Sequence, residues 1–158
     1  TGGEMHLKCR DKREKRGEEQ MILSRKLIKK IEGHFYQNQE ERQLLDTMEQ
    51  EIAEQICTRL DETGVKTRNF ADTTANKAAR IEREANQLKK WIQVVRKTYE
   101  RFLGTPYAQL MRMVYEDKES PTKVQCSLFI SEATFFKWKA DIILYAALKA
   151  CEYGLIQV

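Results

Sequence analysis

Apolar residues along this chain recur at steps of three and four, and runs of strict alternation are missing, which points to helices rather than strands. From Met21 to about Glu62 the stripe reads Ile22, Leu27, Ile28, Ile31, Phe35, Leu44, Leu45, Met48, Ile52, Ile56 and Leu60, and it predicts one long helix or two. Gly33 and the polar residues 37–41 place a break near its middle, where His34 and Tyr36 read as helix-end packing residues rather than ligands. Residues 63–74 carry Gly64, several Thr and no period, so they read as a linker. A second stripe follows: Ala78, Ile81, Ala85, Leu88, Ile92, Val95, Tyr99 and Phe102, over almost four heptads, with Gly104 as its C-cap. Such a seam can pair with the 21–62 helices or with a second copy of the chain.

Near the C-terminus the pattern becomes more specific. Residues 121–140, PTKVQCSLFISEATFFKWKA, match the twenty-residue helix-turn-helix unit, whose interior positions are the fourth, eighth, tenth, fifteenth and eighteenth. Here they are Val124, Leu128, Ile130, Phe135 and Trp138, all large and apolar. Cap chemistry sets the same boundaries. Pro106 and Pro121 each follow a hydroxyl residue, Thr105 and Ser120, and Ser131 precedes Glu132, whose charge suits the positive end of a helix. The expected helices are about 106–117, 121–128 and 132–152, with 129–131 as a tight turn. Two positions depart from the unit: Gln125 stands where a small residue is usual at the helix crossing, and Phe129 where Gly is common in the turn. A plain antiparallel helical hairpin would place apolar residues at much the same spacing.

Composition agrees with the all-α class. Seven Gly and two Pro leave little material for turns, and a charged fraction of 33% against 9% aromatic suits extended helices. The longest apolar run, Ile142 to Ala147, is too short to cross a bilayer, so no membrane association and a cytoplasmic location are expected. Cys9, Cys57, Cys126 and Cys151 are scattered without a CxxC pair, and His6 and His34 are far apart, so neither a metal nor another cofactor is expected. Cys126 and Cys151 read as small buried apolar side chains.

Charge is segregated beneath a net of +4. Basic residues outnumber acidic ones ten to five over 1–31 and eight to four over 71–103; acidic residues lead nine to four over 32–70, and 104–158 is balanced at six each. Residues 1–20 lack a stripe and read as a basic flexible tail. The implied division is a helical, coiled-coil domain over 21–103 and a helix-turn-helix domain over 104–158. Balance in the latter is awkward for a DNA binder, since phosphate neutralisation supplies much of the affinity. Either its basic side chains gather on one face, or the 71–103 helix helps hold the backbone, or these charges merely solvate helices.

Three stretches carry a family resemblance: LIKKIEGHFYQNQEERQLLDTMEQEI, DTTANKAARIEREANQLKKWIQVV and FISEATFFKWKADIILYAAL. From about Met21 to Val158 the chain resembles the phage late transcription activators of the RinA and ArpU type. That resemblance implies a helical N-terminal part and a C-terminal helix-turn-helix similar to the promoter-reading region of bacterial sigma factors. It also implies activation of operons for packaging, morphogenesis or lysis, with bacterial RNA polymerase as a candidate further partner. The acidic 32–70 segment is a candidate for that contact, although an ordinary solvated face is the favoured reading of its charges.

In the unit's register the groove-facing positions are Ser131, Glu132, Ala133, Phe136, Lys137 and Ala140. Lys137 is the candidate for a guanine contact, and Thr134 and Phe136 are candidates for thymine methyls. Ser120, Lys123, Ser131 and Lys139 are candidates for phosphates at helix ends. The expected partner is double-stranded promoter or operator DNA, read by a monomer or a homodimer. A small-terminase-like packaging subunit and a helical adaptor that binds no DNA are the alternatives. An enzyme is the least favoured class, because no paired nucleophile and base and no phosphate-cradling glycine loop is present.

Overall fold

A computed structural model of the chain describes residues 23–61 and 71–157. Every regular element among them is helical: α1 (Arg25–Tyr36), α2 (Asn38–Asp61), α3 (Ala71–Phe102), α4 (Pro106–Met111), α5 (Pro121–Leu128) and α6 (Glu132–Glu152). A π-helical turn, Arg112–Glu116, prolongs α4. The described chain is all-α, and none of its helices is long and apolar enough to cross a membrane. The expected tail at 1–20 and the expected linker over 63–70 lie outside the described residues.

Helix starts follow local chemistry. Ser24, Ser120 and Ser131 each sit in extended backbone and accept a hydrogen bond from the amide three residues on, satisfying a donor that the first turn leaves unpaired. The break between α1 and α2 is a single residue, Gln37, and hydrogen bonds continue on both sides of it: Gln37 N–H donates to Gly33 and Glu41 N–H to Gln37. His34 spans this corner. Its ring stacks on Trp91 with centroids 4.0 Å apart, and its Nδ1 lies 2.6 Å from Glu41 Oε1. This is the packing role expected of it.

Helix α3 is the central element. It runs beside α2, where Lys89 pairs with Glu49 at 2.7 Å, while Val95, Tyr99 and Phe102 of its stripe pack in the core instead. Trp91, Val94 and Val95 are buried in one apolar cluster with Ile31 and Phe35 of α1, Leu110 of α4, Val124 of α5, and Phe135, Ile142 and Ile143 of α6. The seam is thus engaged within the chain. Among the five interior positions of the twenty-residue unit, Val124 and Phe135 are fully buried, while Leu128, Ile130 and Trp138 pack against the cluster with part of their surface exposed.

Four expectations need correction. Residues 71–74, read as linker, are already helical; Ala71 and Ala75 continue the three-and-four spacing back from Ala78, but such small side chains among Asp and Thr give a weak signal. The helix expected over 106–117 is α-helical only to Met111 and then widens, with Asp117 N–H closing onto Arg112. Thr105 does not cap α4 through its side chain: its hydroxyl turns back and donates to the Phe102 carbonyl at 2.6 Å, helping Gly104 (φ 76°) to close α3. Cys126 is exposed, because α5 turns Val124 and Leu128 inward and Cys126, midway between them, falls on the other side.

Candidate nucleic-acid interface

Helices α5 and α6 begin and end at the expected residues, with 129–131 between them. Ser131 Oγ accepts from the Thr134 amide at 3.2 Å and lies 2.9 Å from the Thr134 hydroxyl, so both side chains are spent on starting α6. Phe135 anchors this end from below. Higher up, Trp138 stacks on Tyr107 at 4.9 Å, and the Tyr107 hydroxyl donates to Asp141 at 3.1 Å, fixing α6 against α4. Burial first, then the hydrogen bond to Asp141 and its charge, hold the Tyr107 phenol above its ordinary range.

All six groove-facing positions, Ser131, Glu132, Ala133, Phe136, Lys137 and Ala140, are exposed, Ser131 as the cap of α6 and the other five within the helix itself. The remaining candidates lie elsewhere. Ser120 is exposed at the start of α5, where it accepts from the Lys123 amide at 3.4 Å, and the Lys123 ammonium pairs with Glu119. Lys139 is half-buried and bound to Glu32 of α1 at 2.7 Å. Thr134 is half-buried. The structure therefore brings Ser131, Glu132, Phe136 and Lys137 together, and turns Thr134 and Lys139 toward the protein.

Electrostatically this edge is close to neutral. Lys123 and Lys139 are each matched by a carboxylate, and Lys137 is, among the described residues of the edge, the lysine with no carboxylate within ion-pair distance; Glu132 offsets it. A groove of about 430 Å³ runs beside the edge, with Ile28 and Glu32 of α1 on one wall and Phe136, Ala140 and Leu144 of α6 on the other.

Phe129 is the residue that the register treats only as a mismatch. Its backbone is left-handed, φ 53° and ψ 42°, and its side chain is 95% exposed. The Ile130 amide donates to the Gln125 carbonyl at 3.1 Å, the closure that ends helices through a left-handed residue. Glycine is usual there because a Cβ is crowded in that conformation. The signal was present in the sequence, since a Phe in a required left-handed turn position is itself unusual.

Compared with models of protein families, with curated proteins and with solved structures, the chain matches none of them.

Proposed function

We propose that the chain is a sequence-specific DNA-binding protein with a helix-turn-helix formed by α5 and α6, acting as a transcriptional activator of phage late genes. The observation that carries this reading is the open leading edge of α6: a capped helix start, anchored from below by Phe135, with Ser131, Glu132, Phe136 and Lys137 turned outward. An α-helix presented by its first turns is what a major groove admits. The phage role and the link to RNA polymerase rest on the resemblance of the three stretches quoted above.

In this reading Lys137 donates to a base edge, Phe136 meets the thymine methyl side of the groove, and the α5 start approaches a phosphate through Ser120. The direct test is a gel shift with fragments of the DNA surrounding the gene, repeated over a salt series. One fragment should be retained at salt that releases the others, and Lys137→Ala should weaken that complex by about 1–3 kcal/mol and relax preference at one base pair. Equal release of all fragments, or no retention at low salt, would remove the reading.

A helical adaptor that binds protein rather than DNA is the second reading, and one observation favours it. The edge is nearly neutral and carries exposed Phe129 and Phe136, a composition suited to a protein surface.

A further inference from the structure

Helix α1 is amphipathic in an unusual way. Leu27, Ile28, Ile31 and Phe35 turn toward the core, and the opposite side carries Arg25, Lys26, Lys29 and Lys30, all exposed. None of the four has a carboxylate within ion-pair distance among the described residues; Lys30 alone has a partner, the ring of Trp91 at 5.4 Å from its centroid. Local energetics oppose this arrangement twice. Arg25 and Lys26 occupy the first turn, where the helix dipole disfavours cations, and no acidic residue is there to offset them. Arg25 and Lys29, and likewise Lys26 and Lys30, are like charges four apart on one face, which also destabilises a helix. Beyond the Lys30–Trp91 contact, no ion pair among the described residues offsets the mutual repulsion of these cations.

The position of the cluster supplies a reason. Arg25, Ile28, Lys29 and Glu32 are neighbours on the surface of α1 by their three- and four-residue spacing. Ile28 and Glu32 form the wall of the groove facing Phe136 and Ala140, and Glu32 is tied to Lys139 of α6. Arg25 and Lys29 therefore border the groove from the α1 side, and the cationic face continues the surface that the leading edge of α6 begins. That edge has one unpaired lysine of its own, too few for a DNA complex whose affinity comes largely from phosphates.

We propose that the solvent face of α1 is a phosphate-binding surface for the backbone of the same DNA duplex whose groove α6 enters. The inference rests on the DNA reading of α6 and assigns the two surfaces different work: α6 reads bases, and α1 supplies sequence-independent affinity. An anionic membrane is the competing polyanion, but the apolar face that a membrane-bound helix would insert is already occupied by the core.

The test uses the full chain and the triple variant Arg25→Gln, Lys26→Gln, Lys29→Gln, titrated by fluorescence anisotropy against a mixed-sequence duplex and against a retained fragment. Lys30 is left intact for its contact with Trp91. A charge-matched triple on α3, Lys90→Gln, Lys97→Gln, Arg101→Gln, is the control. Removing each phosphate contact should lower the slope of log affinity against log salt by roughly one. The α1 variant should therefore lose two to three units of slope on both duplexes, with base preference unchanged and circular dichroism and melting temperature at least as high as wild type. The α3 control should keep its slope. A wild-type slope retained by the α1 variant, or an equal loss in the α3 control, overturns the α1 assignment while leaving the reading of α6 intact. Absence of duplex binding by the wild-type chain at any salt, or α1-dependent sedimentation with phosphatidylserine vesicles in its place, overturns both.

Discussion

At the scale of single residues the most informative contrast is between two helix ends that use the same closure. Helix α6 ends through Gly154 at φ 67°, where Leu155 N–H reaches the Ala150 carbonyl at 2.9 Å; helix α5 ends through Phe129 at φ 53°. Gly154 adopts that backbone freely, whereas a bulky residue pays for the crowding of its Cβ, and exposure of the ring gives no burial in return. Phe129→Gly should accordingly raise the stability of the protein by about 1 kcal/mol, measured by urea denaturation. A decrease would mean that the Phe129 ring contributes contacts that outweigh its strained backbone. If the same variant also weakens duplex binding, the strained ring belongs to the interface. The caps at Ser120 and Ser131 were legible in the sequence because a hydroxyl before Pro or Glu has few other uses. Thr105 shows the limit of that rule, for the same hydroxyl can bond backward to the preceding helix, and only the geometry of Gly104 decides which.

Individual elements were legible where their apolar stripe was sustained. The 132–152 helix, the short 121–128 helix, the break beside 37 and the end of α3 at Gly104 all agree with the spacing of apolar residues and caps. The π-helical turn was not legible: it shifts the hydrogen bond by one residue over a single turn, too little to alter a period read across a dozen positions. That turn holds Tyr115, which is fully buried with no hydrogen-bond partner for its hydroxyl. Burial above all raises the Tyr115 phenol far above its ordinary range, and burial, then Glu116, does the same for Tyr99. In the unfolded chain both phenols release their protons near pH 10. The folded state holds them longer, so it binds more protons there, and stability falls as pH rises through that point. Urea midpoints measured from pH 8 upward should therefore be flat to about pH 9.5 and then decline, with the decline reduced in Tyr115→Phe. Identical profiles for the variant and the wild type would show that Tyr115 does not contribute.

For the whole molecule the decisive feature is that one apolar cluster joins α1 and α3 to α4, α5 and α6. The sequence announces each helix, yet it is silent about which long-range pairs form. The stripe of α3 was compatible with a partner in the same chain or in another, and only its packing beside α2 and into the core cluster shows that it is used internally. The Glu32–Lys139 pair joins residues that no local pattern relates, and it removes from the α6 edge a lysine that the register had offered to DNA. The same packing sets the cations of α1 beside that edge. Base reading by α6 and phosphate binding by α1 are thus predicted to occur on one continuous face. Amide chemical-shift mapping with a retained duplex tests this most directly. The account predicts that saturation moves the amides of Ser131 to Lys137 together with those of Arg25 to Lys30; a saturated complex that leaves either of these two sets unmoved would contradict it.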